Sequence, residues 1–323
     1  MTDTTHDTVA PRGSASLPYS LLRLARPTQW SKSVFVLLGP LYGLPELIQE
    51  TPWTTIAASS LTAAVIFALT SSACYIVNDI LDAEQDRAHP RKRNRPIASG
   101  AVSPMLASIY GAFLLIAAGL LLLTLDGASR LLVGLTVLLY IGNVTIYSAF
   151  LKHVVIADVM CLAGGFVIRV LGGCAALGIS PTVWLLNCTF FLAMFLAFGK
   201  RLGERRSMGE GATATRLVQS AYTDNFLEMA VVVTGVATLV GYTIYVETQT
   251  GLYDWGFNLL WLTVLPATYA LFRCIVLLDR GRYDDPTELA VQDRAFQLAA
   301  VLFAGLTTIL VWHFRLAPGL AGV

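Results

Sequence analysis

Charged residues are scarce in this chain. Asp, Glu, Lys and Arg make up only 13% of its 323 residues, about half the share found in soluble domains. Because 55% of the residues are hydrophobic, a soluble core could not hide them all. The composition therefore excludes an ordinary soluble domain and indicates a polytopic α-helical membrane protein.

Neither cysteine chemistry nor a cleavable signal peptide is expected. The five cysteines lie in apolar runs without a CxxC pair, so neither a disulfide framework nor a cysteine metal site is expected. The first 17 residues are rich in Thr, Ser and Asp and lack the apolar segment of a signal peptide. We expect a disordered tail over 1–17 and a single transmembrane domain over 18–323.

Nine apolar runs approach the length of roughly 20 residues that crosses a bilayer. They fall at 31–49, 55–78, 104–125, 129–149, 154–177, 182–199, 223–246, 255–278 and 295–314. Pro40 and Pro45 interrupt the first run. The predicted fold class is all-α, a polytopic membrane protein with nine transmembrane helices.

The basic residues are distributed unevenly between the two faces that nine spans would create. One face receives the N-terminal segment and the loops that contain Arg95, Lys152, Arg201 and Arg280, whereas the other keeps only Arg130 and Arg315. The positive-inside rule then places the basic loops in the cytoplasm and the C-terminus outside the cell membrane. A simpler alternative is that many of these bases serve topology alone.

A cluster of acids follows the second apolar run. Asn78, Asp79, Asp82 and Asp86 are spaced i, i+1, i+4 and i+8, which places them on one face of a helix. Each acid at the centre of a membrane helix would cost about 2.5–3.5 kcal/mol, so the cluster must lie at the interface or line a wet cavity. Oxygen ligands suit Mg²⁺, with Mn²⁺ as an alternative, and substrate phosphates commonly complete the metal shell.

A basic run follows the acids directly. It consists of Arg91, Lys92, Arg93 and Arg95. A metal site next to several bases suits a diphosphate. The alternative is a solvated helix end, with Asp82 and Asp86 paired to Arg87 and Arg91. His89 lies within the same loop, either as a surface residue or as a catalytic one.

The same predicted cytoplasmic face carries further candidates. Lys152 and Asp158 flank the start of the fifth run, and Lys200 begins the charged sequence "KRLGERR" after the sixth. Arg169 lies inside a span, where an arginine is costly and usually faces the protein interior. Lys32 follows a tryptophan and is either an interface anchor or a phosphate ligand.

The string from Asn78 to Asp86, followed by "RAHPRKRNRPIASG", resembles the first aspartate-rich motif of the UbiA superfamily of intramembrane prenyltransferases. The "YS..LK.....D" stretch that ends at Asp158 and the count of nine helices agree with it. The resemblance extends from about Arg26 to beyond Arg294. It implies nine helices around a central cavity that opens to lipid and is capped by cytoplasmic loops.

One departure indicates a branch of this superfamily. Most members that prenylate aromatic rings have a second aspartate-rich motif after the sixth span, where this chain reads Lys200-Arg201-x-x-Glu204. The chain is similar here, and in "RPTQWSKSVFVL" and "DDPTELAVQDR", to decaprenyl-phosphate phosphoribosyltransferases. The resemblance implies transfer of 5-phosphoribose from phosphoribosyl pyrophosphate to a polyprenyl (decaprenyl) phosphate, for arabinan cell-wall precursors.

The resemblance also implies roles for individual residues. Asp79, Asp82 and Asp86 would hold the metal and pyrophosphate, and Asp158 would touch ribose or orient Lys152. The expected substrate ligands are Lys32, Asn78, Lys92, Arg95, Lys152, Arg169, Lys200, Arg201 and Glu204. The implied partners are the two phosphorylated substrates and the membrane but no nucleic acid, and a homo-oligomer is left open.

Two other functions compete with this interpretation. An aromatic prenyltransferase of quinone or haem biosynthesis would use the same first motif, but the second aspartate-rich motif is missing. A transporter or channel would also place Asp and Arg within the membrane. Against a transporter, the charges gather at one face and the sequence has no evident inverted repeat.

Overall fold

The computed structural model describes residues 16–88, 92–208, 222–249, 253–254, 256–280 and 292–313. Within these residues the chain is almost entirely helical. The α-helices are α1 Leu17–Ala25, α2 Leu38–Tyr42, α3 Leu44–Glu50, α4 Trp53–Leu81, α5 Ala83–Ala88, α6 Pro104–Leu122, α7 Gly127–Ala149, α8 Ala157–Ala176, α9 Val183–Met208, α10 Asp224–Thr248, α11 Val264–Asp279 and α12 Arg294–Val311. A short antiparallel pair, β1 Tyr253–Asp254 with β2 Phe257–Asn258, precedes α11.

Eight of the described helical segments are long and apolar enough to cross a membrane. They are α4, α6 to α10, α11 together with the 3₁₀ turn that precedes it, and α12. The predicted class of all-α polytopic membrane protein is confirmed, and each of these segments corresponds to a predicted span.

The first predicted span, 31–49, is the exception because it is not one helix. It consists of the end of a 3₁₀ segment, Pro27–Leu37, followed by α2 and α3. Pro40 and Pro45 lack the N–H groups that a continuous helix needs. The segment packs closely on α8, where a Cβ on Gly173 would overlap the carbonyl oxygen of Val36.

The described chain divides into two compact units. The first contains the described residues up to Ser31 together with Val65–Leu121. Its core includes Leu24 from α1, Ile76 from α4 and Leu114 from α6. At Gly111 of α6, an added Cβ would lie 3.5 Å from the Ile76 side chain, so the two helices are already in close contact.

The second unit contains Lys32–Ala64 and the described residues from Leu122 onward. Helices α7, α8, α9 and α10 pack as successive neighbours within it. Asp126, Thr223 and Asp293 cap α7, α10 and α12 by accepting hydrogen bonds from backbone N–H groups of the first turn. These caps place the helix starts at defined residues.

Some predicted features lie outside the described residues. These are 1–15 of the tail, His89, Arg91, Arg315 and most of "DDPTELAVQDR". Helix α1 begins at Leu17, the last residue of the predicted tail. The division into a tail and one transmembrane domain stays a prediction.

Candidate active site

The aspartate cluster, defined as Asn78, Asp79, Asp82 and Asp86, lies where α4 ends and α5 begins. A single turn at Asp82 separates the two helices, and the Asp86 N–H still donates to the Asp82 carbonyl at 2.8 Å. The near-continuous helix buries Asp79 and Asp86 and leaves Asn78 and Asp82 partly exposed.

Arg95 joins the two buried acids. Its Nη1 lies 3.0 Å from Asp79 Oδ1 and 2.7 Å from Asp86 Oδ2. Lys92 Nζ lies 3.9 Å from Asp86. The structure therefore brings four of the predicted site residues together, through charge-assisted hydrogen bonds from Arg95 to both acids and a longer ion pair between Lys92 and Asp86. Asp86 is buried, which is not the setting of a solvated helix end, and Arg87 Nε donates to the Ala98 carbonyl at 3.4 Å.

Arg26 also belongs to this site. The sequence predicts for Arg26 only a role in membrane topology, as one of the bases of the N-terminal segment. Its Nη2 donates to Asp79 Oδ1 at 2.6 Å, and its guanidinium lies 4.9 Å from the centre of the Tyr75 ring. Arg26 ends α1 in the left-handed conformation, with φ of 52°, just before Pro27. No local spacing could reveal the contact, because 53 residues separate the partners.

The carboxylate and amide oxygens of the cluster are the type of ligand atom that a hard divalent cation prefers. Among the residues that the structure describes, however, no three His, Cys, Asp or Glu side chains come together as a ready metal-binding group. One or two aspartates are enough for Mg²⁺ when substrate phosphates supply further oxygens. The cluster fits a metal that enters with a phosphorylated substrate.

A second polar group, the Asp158 lock, consists of Asp158, Arg201 and Tyr222 in the second unit. Asp158 lies in the first turn of α8, Arg201 lies near the end of α9, and Tyr222 precedes α10. The Asp158 carboxylate forms an ion pair with Arg201 through Oδ2 and accepts a hydrogen bond from the Tyr222 hydroxyl through Oδ1 at 2.7 Å. Only 1% of Asp158, 4% of Arg201 and 1% of Tyr222 is exposed.

Tyr222 is the residue of this group that the sequence did not reveal. Its ring stacks on Phe226 and meets Phe198 edge to face, and its oxygen also accepts the backbone N–H of Ile156 at 2.6 Å. Burial raises the pKa of the Tyr222 hydroxyl, and the hydrogen bond to Asp158 raises it further. The hydroxyl therefore stays protonated and acts as the donor to Asp158.

Four further predicted site residues lie on α8, on α9 or in the turn before α8. Lys200 and Glu204 are partly exposed on α9, and Lys152 is partly exposed in a 3₁₀ turn before α8. Arg169 is buried in α8, where it donates to the Tyr140 hydroxyl at 2.7 Å and to the Gly165 carbonyl at 3.1 Å. Its guanidinium also lies 5.5 Å from the centre of the Phe166 ring.

A cavity of about 780 Å³ lies within the second unit. Its walls come mainly from apolar and aromatic side chains of α2, α3 and α8 to α12, and they include none of the predicted site residues. Phe35 lines the cavity, and the centre of its ring lies 4.6 Å from the centre of the Phe166 ring. Lys32 precedes Phe35 by three residues in the 3₁₀ segment, a spacing at which side chains eclipse.

The membrane helices, the polar cluster and the cavity together define a class of protein. The chain is a multi-pass helical membrane protein with an aspartate–arginine cluster at the end of a membrane helix and an apolar cavity. The chain belongs to the UbiA prenyltransferase family, which matches residues 36–301, and the predicted family is confirmed.

Individual relatives agree with the family and with the predicted branch. A decaprenyl-phosphate phosphoribosyltransferase of Mycolicibacterium smegmatis is 31% identical over 313 residues, covering 94% of this chain and 97% of the relative. One from Corynebacterium glutamicum is 30% identical over 301 residues, covering 88% of this chain and 85% of the relative.

A solved structure supports the fold. A UbiA homologue from Archaeoglobus fulgidus bound to GPP and Mg²⁺ aligns with a TM-score of 0.61 at 15% identity. The alignment covers 90% of this chain and 99% of the homologue. At this identity the likeness concerns the fold alone.

Proposed function

We propose that this chain transfers 5-phosphoribose from phosphoribosyl pyrophosphate to the phosphate of a polyprenyl (decaprenyl) phosphate and releases pyrophosphate. The two decaprenyl-phosphate phosphoribosyltransferases described above are 31% and 30% identical to the chain over most of its length, which supports the proposal. The observation that carries the proposal is the end of α9, where Lys200 and Arg201 stand and the Arg201 guanidinium is paired with Asp158. A site for a second metal on a prenyl diphosphate would need acids there.

The aspartate cluster is suited to the pyrophosphate of the donor. Asp79 and Asp86, with Asp82 beside them, would hold a divalent metal, which we propose to be Mg²⁺. That metal would neutralise charge on the leaving pyrophosphate. Arg26 and Arg95 already contact the acids, and their side chains are 26% and 29% exposed. Both bases could therefore contact phosphate oxygens without leaving the cluster.

Lys200 is a better candidate than Arg201 for direct contact with the donor's 5-phosphate. Lys200 is partly exposed, whereas Arg201 is buried and forms an ion pair with Asp158. Because Asp158 is buried as well, its role is to hold Arg201, and direct contact with ribose is less suited to its position. Glu204 lies one turn beyond Lys200 on the same helix.

The cavity of the second unit is suited to part of the acceptor's isoprenoid chain. It is apolar, and Phe35 connects it through Phe166 to Arg169. Lys32 lies above Phe35 in the 3₁₀ segment. Lys32 is therefore a good candidate to hold the lipid phosphate while the isoprenoid chain enters the cavity at Phe35, and the buried Arg169, which contacts Phe166, is a second candidate.

The reaction needs no strong general base. The oxygen of a polyprenyl phosphate is an anion at neutral pH, so it attacks ribose C1 directly. The bond from C1 to the pyrophosphate oxygen breaks, and the leaving group takes the bonding electron pair. The protein's work is to bring two polyanions together and to stabilise positive charge that develops on the ribose.

We further propose that the protein lies in the plasma membrane and that the aspartate cluster faces the cytoplasm. The reason is that most Lys and Arg residues gather in the loops of one predicted face. In a cysteine-free variant, Ser99→Cys should resist a membrane-impermeant thiol reagent applied to intact cells, and Thr248→Cys should react. Equal labelling at both positions would contradict this orientation.

The proposed reaction can be tested directly with purified protein in detergent. The protein is incubated with phosphoribosyl pyrophosphate, polyprenyl phosphate and Mg²⁺, and the lipid products are separated and weighed by mass spectrometry. We expect a lipid whose mass has increased by one phosphoribosyl group, and no product in excess EDTA. A parallel sample holds 4-hydroxybenzoate and a prenyl diphosphate. Prenylation of that acid without ribosylation of the lipid would overturn the proposal.

A further inference from the structure

The Asp158 lock rests on an unusual backbone turn. Ile156 has a φ of +69°, and the Ala157 N–H donates to the Val155 carbonyl at 2.8 Å. A γ-turn with positive φ is rare and strained, and a β-branched residue seldom adopts it. Such strain persists only where surrounding contacts hold it.

The Tyr222 hydroxyl makes the contact that holds this turn. It accepts the N–H of the strained residue Ile156 at 2.6 Å and donates to Asp158, two residues further on, at 2.7 Å. One oxygen therefore fixes both the turn and the carboxylate that follows it. The carboxylate in turn fixes the Arg201 guanidinium at the end of α9.

The position of Arg201 determines the direction in which the side chain of the adjacent Lys200 leaves the helix. Successive residues on an α-helix point about 100° apart, so a helix end fixed through Arg201 presents Lys200 in one direction only. Lys200 and Glu204 share a face because they are four residues apart. Both are partly exposed, whereas Arg201 is buried.

We propose that Tyr222 is a positioning residue for the phosphoribosyl donor, which acts through Asp158 and Arg201 to orient Lys200. The assignment rests on the proposed function, since Lys200 is taken there as the ligand of a phosphate group. The ring of Tyr222 has a separate, structural role in packing against Phe198 and Phe226. A phenylalanine at this position would keep the packing and remove only the hydroxyl.

The central experiment is the substitution Tyr222→Phe, with the KM of each substrate measured separately. We expect the KM for phosphoribosyl pyrophosphate to rise about tenfold, as loss of a hydrogen bond to a charged group allows. The KM for polyprenyl phosphate should not change. In a Lys200→Gln background, Tyr222→Phe should have little further effect, because both changes would disturb the same contact.

Arg273→Gln is the matched control. It breaks another ion pair of the second unit, in which Arg273 donates to Asp293 at 2.8 and 3.2 Å. This variant should lose thermal stability while both KM values stay at the wild-type level. If Tyr222→Phe behaves in the same way, Tyr222 is only structural and the proposal is wrong.

Hydrogen exchange separates this proposal from the proposed function. Tyr222→Phe should increase deuterium uptake at 155–160 and 198–206, but not in α12. A wild-type protein that forms no ribosylated lipid would overturn the proposed function and the assigned donor. Increased exchange would then still support the lock itself. Unchanged exchange together with an unchanged donor KM would overturn the role of Tyr222.

Discussion

The aspartate cluster and the Asp158 lock use the same two residue types in different settings. In the first, Asp79 is buried but its partners Arg26 and Arg95 are 26% and 29% exposed. In the second, the side chains of Asp158 and Arg201 are both almost fully buried, at 1% and 5%. The exposure of the base, and not the presence of the pair, separates a site that can exchange ligands from one that cannot.

The energetic consequence follows from desolvation. A partly exposed arginine can turn from a carboxylate to a phosphate, because water screens the change. A buried arginine that loses its acid becomes an uncompensated charge, which costs about 3–5 kcal/mol. The first group is therefore suited to binding and the second to holding helix ends in place.

Asp79→Asn should give the largest effect of all, and the effect should fall on turnover. Changes in the groups that merely support metal ligands cost about 10–100-fold, so loss of a proposed ligand should lower turnover by about 100-fold or more. Folding should change little, because an asparagine oxygen still accepts from Arg26. Activity of the purified variant is measured beside Asp82→Asn, where we also expect a large loss.

Glu84→Gln is the control for this prediction. Glu84 is an exposed acid in the same segment, and its removal should leave turnover unchanged. Normal turnover of Asp79→Asn, or full wild-type activity in EDTA, would remove the aspartate cluster from the mechanism.

Asp158→Asn should have the next largest effect, and that effect should fall on stability. The change leaves Arg201 buried without a charged partner, so the free energy of unfolding should fall by about 3–5 kcal/mol. The double variant Asp158→Asn with Arg201→Gln should recover part of the loss. Thermal unfolding in detergent measures both. If Asp158→Asn melts with the wild type but loses activity, the comparison between the two groups is wrong.

Arg95→Gln should have a more moderate effect, confined to the donor. A charge-assisted hydrogen bond is worth roughly 1.5–3 kcal/mol, so the KM for phosphoribosyl pyrophosphate should rise about 10- to 150-fold. Arg130→Gln removes an arginine that donates to the Leu123 and Leu125 carbonyls in the connection between α6 and α7, and it should leave this KM unchanged. A rise in the lipid KM alone would assign Arg95 to the acceptor instead.

Most of the fold was predictable because each span is encoded locally. The runs 104–125 and 129–149 correspond to Pro104–Leu122 and Gly127–Ala149, since apolar length alone decides such helices. The run 31–49 failed as a single helix because it combines two prolines with a close approach to Gly173. The apolar length of a run reveals neither its prolines nor a close approach to another helix.

The candidate site was predictable only in its local part. The acids from Asp79 to Asp86 are close in sequence, so their spacing reveals them. Tyr222 and Asp158 are 64 residues apart, and no pattern in the sequence connects them. The contrast between Lys200 and Arg201 was also hidden, because two adjacent bases give no sign of which one is buried.

Asp126→Ala should have the smallest effect. It extends the comparison to an exposed acid whose carboxylate has no arginine among its described partners. The Asp126 carboxylate accepts the N–H groups of Ala128 and Ser129 at 3.1 Å each and thereby caps α7. The hydrogen bond from the Ser129 N–H contributes most to lowering the pKa of Asp126 below its usual value. The ionised form is therefore favoured in the folded protein. Its stabilising contribution is present above the unfolded pKa and is lost as the pH falls through the lower folded value.

Thermal unfolding over a pH series tests this sign. At pH 7 Asp126→Ala should melt slightly below the wild type, and the difference should shrink as the pH falls below about 4, near the ordinary pKa of an aspartate. Turnover and both KM values should stay at the wild-type level, in contrast to the turnover of Asp79→Asn, because none of the contacts described for Asp126 involves either polar group. A melting difference that does not depend on pH would mean that the cap acts without its charge. A changed KM would mean that the start of α7 contributes to a substrate site.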